Sequence, residues 1–179
     1  MSRISITGGP GAGKTTLLLA LQALGHTIVG DSARAIIQDR RRHGLSPRPN
    51  ADEFTHETLR MDIENFMQHA ATPGHVFFDR SVLDSLYGLD HFTPLNESDL
   101  NMWLSTYQYC SKVFLLPLWK EIYVNDAERD HTFEHAEWVN SITQEWYRRL
   151  ERYQLIEVPK VSVAERCTFV LQTLANSDA

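Results

Sequence analysis

The stretch Arg3-Ile4-Ser5-Ile6-Thr7-Gly8-Gly9-Pro10-Gly11-Ala12-Gly13-Lys14-Thr15-Thr16-Leu17 decides the fold. Arg3 to Thr7 alternates, is β-branched and ends in glycines, which reads as a short strand. Thr15 to Leu24 is rich in Leu and Ala and is followed by Gly25, which reads as a helix apolar nearly all round and therefore buried. Between them, Gly8 to Thr15 matches G-x-x-x-x-G-K-[ST], in the strand-then-helix context that the pattern requires. Glycines let the main chain curl so that successive N–H groups point inward at phosphate oxygens. The helix beginning near Lys14 adds its positive end. Lys14 would set an ammonium on the β- and γ-phosphates, and the Thr15 hydroxyl would reach a Mg²⁺ ion. The structural alternative is a Gly-rich turn before a buried helix, but such a helix has no need of a lysine at its start.

Outward from this loop, short apolar runs alternate with helical patterns. Strands are expected at Thr27–Val29, Val76–Phe78, Val113–Leu116 and Leu155–Val158. Helices are expected at Ser32 to about His43, after the Asn50/Glu53 cap, at Val82 to about Leu89, Asp99 to about Tyr109, Phe133 to Tyr153, and after the Ser162/Glu165 capping box. Strands that are apolar throughout are buried on both faces, so the pattern predicts an α/β fold in three layers, a parallel sheet between helices. Right-handed crossovers then gather every strand C-terminus on one edge, where ligands bind.

Asp79 closes the third strand at that edge and is a candidate Mg²⁺ ligand and catalytic group; the bland reading is a turn or helix-cap aspartate. Arg80 beside it would bind substrate phosphate or pair with a carboxylate. Asp31 ends the second strand, as a general base toward an acceptor hydroxyl or as a helix N-cap. Arg34, one turn on, reaches the same pocket or lies solvated. Asp84 is a weaker candidate in a helix first turn. The stretch after the fourth strand, about 117–132, is a candidate lid, with Lys120 and Arg129 closing over phosphates or serving as ordinary loop charges, and Trp119 and Tyr123 packing its hinge rather than stacking on a base. Arg40-Arg41-Arg42-His43 reads as a solvated helix end. His131-Thr132-Phe133-Glu134-His135 spells an inverted zinc-protease signature, but no third ligand is evident. The single histidines His26, His69 and His75 are expected at the surface.

The 179 residues carry 17 Lys+Arg against 23 Asp+Glu, a net charge of −6, which argues against a general nucleic-acid or membrane coat. The length suits one domain, 1–179. Two distant cysteines, Cys110 and Cys167, suggest neither a disulfide framework nor a cysteine zinc site. No apolar run is long enough to span a membrane and no leader is visible, so the expected location is the cytoplasm.

The chain resembles the AAA-type predicted ATPase family of phosphate-loop proteins that is similar to the nicotinamide riboside kinase domain of bacterial NAD regulators. The stretches that carry the likeness are ITGGPGAGKTTL (Ile6 to Leu17), VGDSARAI (Val29 to Ile36), FFDRSVLD (Phe77 to Asp84) and VFLLPLWKEIYVNDAER (Val113 to Arg129). The resemblance implies a five-stranded sheet in the order 2-3-1-4-5 and nucleotide binding at Gly8, Gly9, Pro10, Gly11, Ala12, Gly13, Lys14, Thr15 and Thr16. It also matches Asp79 and Arg80 to the acidic-Arg pair of nucleoside kinases and Arg129 to a lid arginine. Relatives often carry Glu where this chain has Asp31, a shorter side chain for the base role.

Together these readings lead to an expectation of an enzyme: ATP (or GTP) with Mg²⁺ as cofactors, and phosphoryl transfer to an unidentified small hydroxyl-bearing acceptor such as a nucleoside. The rivals are a nucleotide switch or slow ATPase acting through a protein partner and, more weakly, a nucleic-acid accessory ATPase.

Overall fold

The computed structural model describes residues 2–122 and 132–176. The candidate lid residues Tyr123 and Arg129, and His131 of the zinc-like motif, lie outside these. The strands are β1 (Ser2–Thr7), β2 (Thr27–Val29), β3 (His75–Asp79), β4 (Lys112–Leu115) and β5 (Gln154–Glu157). The helices are α1 (Lys14–Ala23), α2 (Ser32–Arg42), α3 (Ala51–Gln68), α4 (Val82–Phe92), α5 (Glu97–Thr106), α6 (Phe133–Arg149) and α7 (Val163–Ala175), with a short 3₁₀ turn at Lys120–Ile122. The sheet order is β2-β3-β1-β4-β5, and every pairing is parallel.

Strand alternation divides the core in two. Ile4, Ile6, Phe77, Phe114 and Leu116 turn to the side covered by Leu17, Leu18 and Leu21 of α1 and Cys167, Val170 and Leu174 of α7. Val76, Phe78 and Val113 turn to the other side, under α3, α4, α5 and α6. Burying a Leu or Phe side chain contributes about 1.5–3 kcal/mol. The sheet between these two apolar layers is therefore the rigid part of the molecule. Ser5 and Thr7 of β1 are also fully buried, on the second side, where Ser5 donates to Ser81 Oγ at 3.0 Å and Thr7 donates to Asp84.

α1 is less buried than its composition suggests. Leu17, Leu18 and Leu21 face the sheet, while Leu19 and Leu24 are more than half exposed. One helix lying on one sheet covers a single stripe, whatever the residues on its far side. The histidines differ too: His26 and His75 are half-buried and stand edge-on to Phe77, and His69 stands edge-on to Phe78. The caps follow the sequence closely. Asn50 accepts from Glu53 N at 2.9 Å, and Ser162 and Glu165 cap each other reciprocally.

The register aligns Ile6 with Asp79 and Thr7 with Leu115. Thr7, Val29, Asp79, Leu115 and Glu157 therefore end along one edge. At that edge Gly8 has φ +133°, and a Cβ there would lie 2.5 Å from the Leu116 carbonyl oxygen. Only glycine lets the chain leave β1 this close to β4. Gly8→Ala is therefore expected to lower stability by a few kcal/mol, through backbone strain and a clash with main chain. Gly30→Ala has nothing within 4 Å of the added atom and serves as the control. Denaturant melts check this; equal midpoints for the two variants would refute it.

Candidate nucleotide and acceptor site

α1 opens differently from most of its neighbours. Asp31, Asn50, Asn96, Thr132 and Ser162 cap the first turns of α2, α3, α5, α6 and α7 through their side chains. α1 instead follows Gly13 in the left-handed conformation at φ 87°, with no side-chain cap and no acid in its first turn. Its leading N–H groups and its positive end are thus left for an anion. Lys14 is buried, and its Nζ donates to Gly8 O at 3.0 Å and Gly9 O at 3.1 Å. The ammonium draws the loop into a curl around itself.

Thr15 is exposed on the first turn of α1, and its hydroxyl donates to Asp79 Oδ2 at 3.4 Å. Asp79 is buried, and its Oδ1 has no hydrogen-bond partner among the described residues. Burial pushes the Asp79 carboxyl above its ordinary value; Lys14 opposes this, Asp31 reinforces it, and Arg80 and Arg34 oppose it. A buried carboxylate oxygen without a donor, beside a threonine hydroxyl, is the oxygen set a magnesium ion takes with phosphate and water as further ligands. The donors present therefore fit Mg²⁺. Asp79 is not a cap for α4, since Ser81 holds that position.

Arg80 has φ +66°, a strained conformation for a residue with a Cβ. Its Nη2 donates to Gly8 O at 3.3 Å, and its buried Nε has no partner among the described residues. Burial alone would lower its pKa, but Asp31, Asp84, Asp79 and Asp62 outweigh burial and raise it. The guanidinium is charged under all ordinary conditions.

Asp31 caps α2, accepting from Arg34 N at 3.1 Å, so its structural reading holds. It also lines a cleft of about 250 Å³ with Pro10, Lys14, Arg34, Arg48 and Arg80. Capping and facing the cleft are compatible, because a carboxylate accepts at several lone pairs. Lys120 is exposed and sits over the Phe133 ring at 5.5 Å. The run Arg40 to Arg42 is only in part the solvated helix end expected: Arg42 is exposed and pairs with Asp39 at 3.6 Å, but Arg40 is 18% exposed and crosses to α3, where it pairs with Glu57 at 2.7 Å.

Two charged residues near the site, Asp62 and Arg166, escape the sequence reading, and Asp84 has more partners than a first-turn acid needs. Asp62 of α3 is 6% exposed and receives hydrogen bonds from Ser32 and Ser85, both at 2.5 Å. Burial raises its pKa from 3.8 to about 7, against the two serine bonds and with help from Asp84 and Asp31. Asp84 accepts from Thr7, from Ser81 Oγ at 3.1 Å and from Tyr147 OH at 3.0 Å, tying β1, α4 and α6 together. Arg166 of α7 is buried, donates to Val161 O at 2.9 Å, and lies over the Trp119 ring at 5.6 Å. A Cβ on Gly13 would meet its Nη1 at 3.1 Å, so this cation backs the end of the phosphate loop. A signal existed for Asp62 and Arg166, since each sits at the helical spacing of a buried stripe: Leu59-Asp62-Phe66 and Val163-Arg166-Val170.

A family model described as an AAA domain matches residues 3–166. The chain belongs to that AAA domain family. Its phosphate loop and the sheet order expected from the resemblance are those of phosphate-loop kinase-like NTPases. Among solved structures, it is similar to deoxyadenosine kinase from M. mycoides with bound dATP, at 16% identity and a TM-score of 0.64, covering 98% of this chain and 100% of that one. The same kinase with the products dCMP and dCDP gives a TM-score of 0.65 at 16% identity, covering 97% and 99%. Thymidylate kinase from Candida albicans gives 0.65 at 13% identity, covering 99% and 92%. At these identities the likeness establishes the fold. No curated protein sequence matches significantly. Among the described residues, no helix is long and apolar enough to cross a membrane.

The raised pKa of Asp62 has a consequence for stability. Its folded value lies above its unfolded one, so its contribution is fully present below about pH 4 and is lost as pH rises to about 7. Above that, the buried carboxylate costs on the order of 4 kcal/mol, at about 1.4 kcal/mol per unit. Asp62→Asn keeps the shape and a hydrogen-bonding oxygen without the charge. It is expected to melt several degrees above the wild type at pH 8, with the gap closing toward pH 4. A lower melting temperature than wild type at pH 8 would contradict this.

Proposed function

We propose that this chain, as one domain over 1–179, is an ATP- and Mg²⁺-dependent kinase for a small hydroxyl-bearing metabolite of the nucleoside type. The observation that carries the reading is the juxtaposition at the strand ends. The curled loop with Lys14 faces the Thr15–Asp79 pair and its unpartnered carboxylate oxygen, and a cleft walled by Asp31, Arg34 and Arg80 opens beside them. The chemistry would follow from this placement.

The amides of Gly8 to Thr16 and the positive end of α1 would hold the triphosphate, with Lys14 exchanging its carbonyl partners for phosphate oxygens. Thr15 and Asp79 would hold the magnesium ion, which when bound draws charge from the phosphates. Arg80 and Arg34 would balance negative charge in the cleft, and Lys120 and Arg129 would approach from the segment after β4. Asp31 would take the proton of the attacking hydroxyl; its cap bond to Arg34 N orients it for that. The bound deoxynucleotides named for the M. mycoides kinase favour a nucleoside-type acceptor here.

Two variants test the reading. Lys14→Ala is expected to weaken ATP binding tenfold or more, and Asp79→Asn to abolish most of the Mg²⁺-dependent turnover while the protein stays folded. Calorimetric ATP titration and ADP release across a metabolite panel are the measurements. ATP binding unchanged in Lys14→Ala, or turnover intact in Asp79→Asn, would refute the reading.

A further inference from the structure

Beside the cleft, on the side away from Lys14, lies a second hollow of about 210 Å³, the inner chamber. The two share Asp31, Ala33, Phe54 and Arg80, so they are contiguous. Their chemistry differs. Pro10, Lys14, Arg34 and Arg48 line only the outer cleft. Asp62, Asp84, Ser85, Thr55, Thr58 and Tyr87 line only the inner one. On the kinase reading above, on which this inference rests, the reacting hydroxyl must lie near Lys14. The far end of the acceptor is then the part that enters the inner chamber.

That chamber is built to take an uncharged ring with hydrogen-bond donors. Phe54 and Tyr87 supply flat apolar surface for a ring face. The remaining wall is rich in acceptors, and a phosphate or carboxylate lodged there would meet Asp62 and Asp84 with only Arg80 in compensation. The two aspartates are not equivalent. Asp84 is engaged by Thr7, Ser81 and Tyr147. Asp62 receives one serine hydroxyl on each oxygen, and a carboxylate has about four lone-pair sites, so accepting capacity remains. Ser32 is itself fixed by Asn65 Nδ2 at 3.1 Å, which holds the carboxyl in place. A carboxylate buried this deeply in a cavity wall gives up its hydration, and such groups cluster at functional sites.

We propose that Asp62, oriented by Ser32 and Ser85, determines acceptor specificity by accepting a hydrogen bond from the amino group of a ring seated in the inner chamber. Amino-bearing bases are then selected over oxo-bearing ones. A buried site that hydrogen-bonds one group rejects the analogue lacking it, because its own polar atom is left unpaired. The groups facing Asp62 are Asp31 from the start of α2, Asp84 and Arg80 from the β3–α4 region, and Tyr109 before β4.

The test uses two matched pairs, adenosine with inosine and cytidine with uridine, each in ribo and 2′-deoxy form. Two readouts are taken at pH 8 on wild type, Asp62→Asn and Ser85→Ala: ADP release with ATP and Mg²⁺, and the melting shift each nucleoside causes without ATP. In the wild type, the amino member of at least one pair is expected to exceed its oxo partner tenfold or more in kcat/KM. Asp62→Asn should lose that ratio through the KM of the nucleoside rather than through kcat, and Ser85→Ala should lower it in the same direction. A ratio preserved in Asp62→Asn, or absent from the wild type, overturns the assignment. If no nucleoside stimulates ADP release, the kinase reading has failed, and the melting shifts decide the chamber separately. Amino members stabilising the wild type but not Asp62→Asn would sustain the specificity role; equal shifts in both proteins, or none, would end it.

Discussion

A buried ammonium must be surrounded by oxygen, and Lys14 meets that demand by folding back onto the carbonyls of Gly8 and Gly9. Much of the site's geometry is arranged around that contact. The chain can turn there only because Gly8 carries no side chain against Leu116 O, and because Gly13 adopts a positive φ just before α1. The turn leaves the first amides of α1 without a side-chain cap. It also sets Thr15 beside Asp79, since the β1–β3 register aligns Ile6 with Asp79. A loop that satisfies one cation internally can hand that cation to an anion at little reorganisation cost.

The sheet makes this arrangement rigid. Two apolar layers hold β1 between β3 and β4, and the ends of those strands cannot shift without opening both. Around the edge, charges are balanced as a group. Lys14, Arg34 and Arg80 stand among Asp31, Asp62, Asp79 and Asp84, and the carboxyls of Asp62 and Asp79 are both pushed upward by burial. Such a cluster favours binding over folding: a phosphate would gain the cations, and a metal would gain the Asp79 Oδ1 that has no partner among the described residues.

Much of this was legible in the sequence because local chemistry and global fold agree. The phosphate loop, the Asn50 and Ser162 caps and the strand ending at Asp79 each announce themselves within a few residues. The strand order is different in kind. It depends on β2 pairing with β3 rather than β1, a long-range choice that came from family resemblance and not from periodicity. Asp62 and Arg166 were passed over because a charge within an apolar stripe is usually taken as the stripe's edge; here both side chains turn inward, Asp62 onto Ser32 and Ser85 and Arg166 onto the Trp119 ring. The far side of α1 misled in the opposite sense, since Leu19 and Leu24 are apolar yet exposed. Composition alone cannot tell which stripe the sheet will cover.

On the proposed reading, the main-chain N–H groups of the Gly8 to Thr16 loop, with Lys14, grip a triphosphate. A crystal structure of the protein grown with a non-hydrolysable ATP analogue and Mg²⁺ tests it most directly. The β- and γ-phosphates are expected inside the curl, with Lys14 Nζ moved from the Gly8 and Gly9 carbonyls onto phosphate oxygens and the metal at Thr15 Oγ1 on the Asp79 side. A nucleotide bound elsewhere, with Lys14 still on those carbonyls, would contradict it.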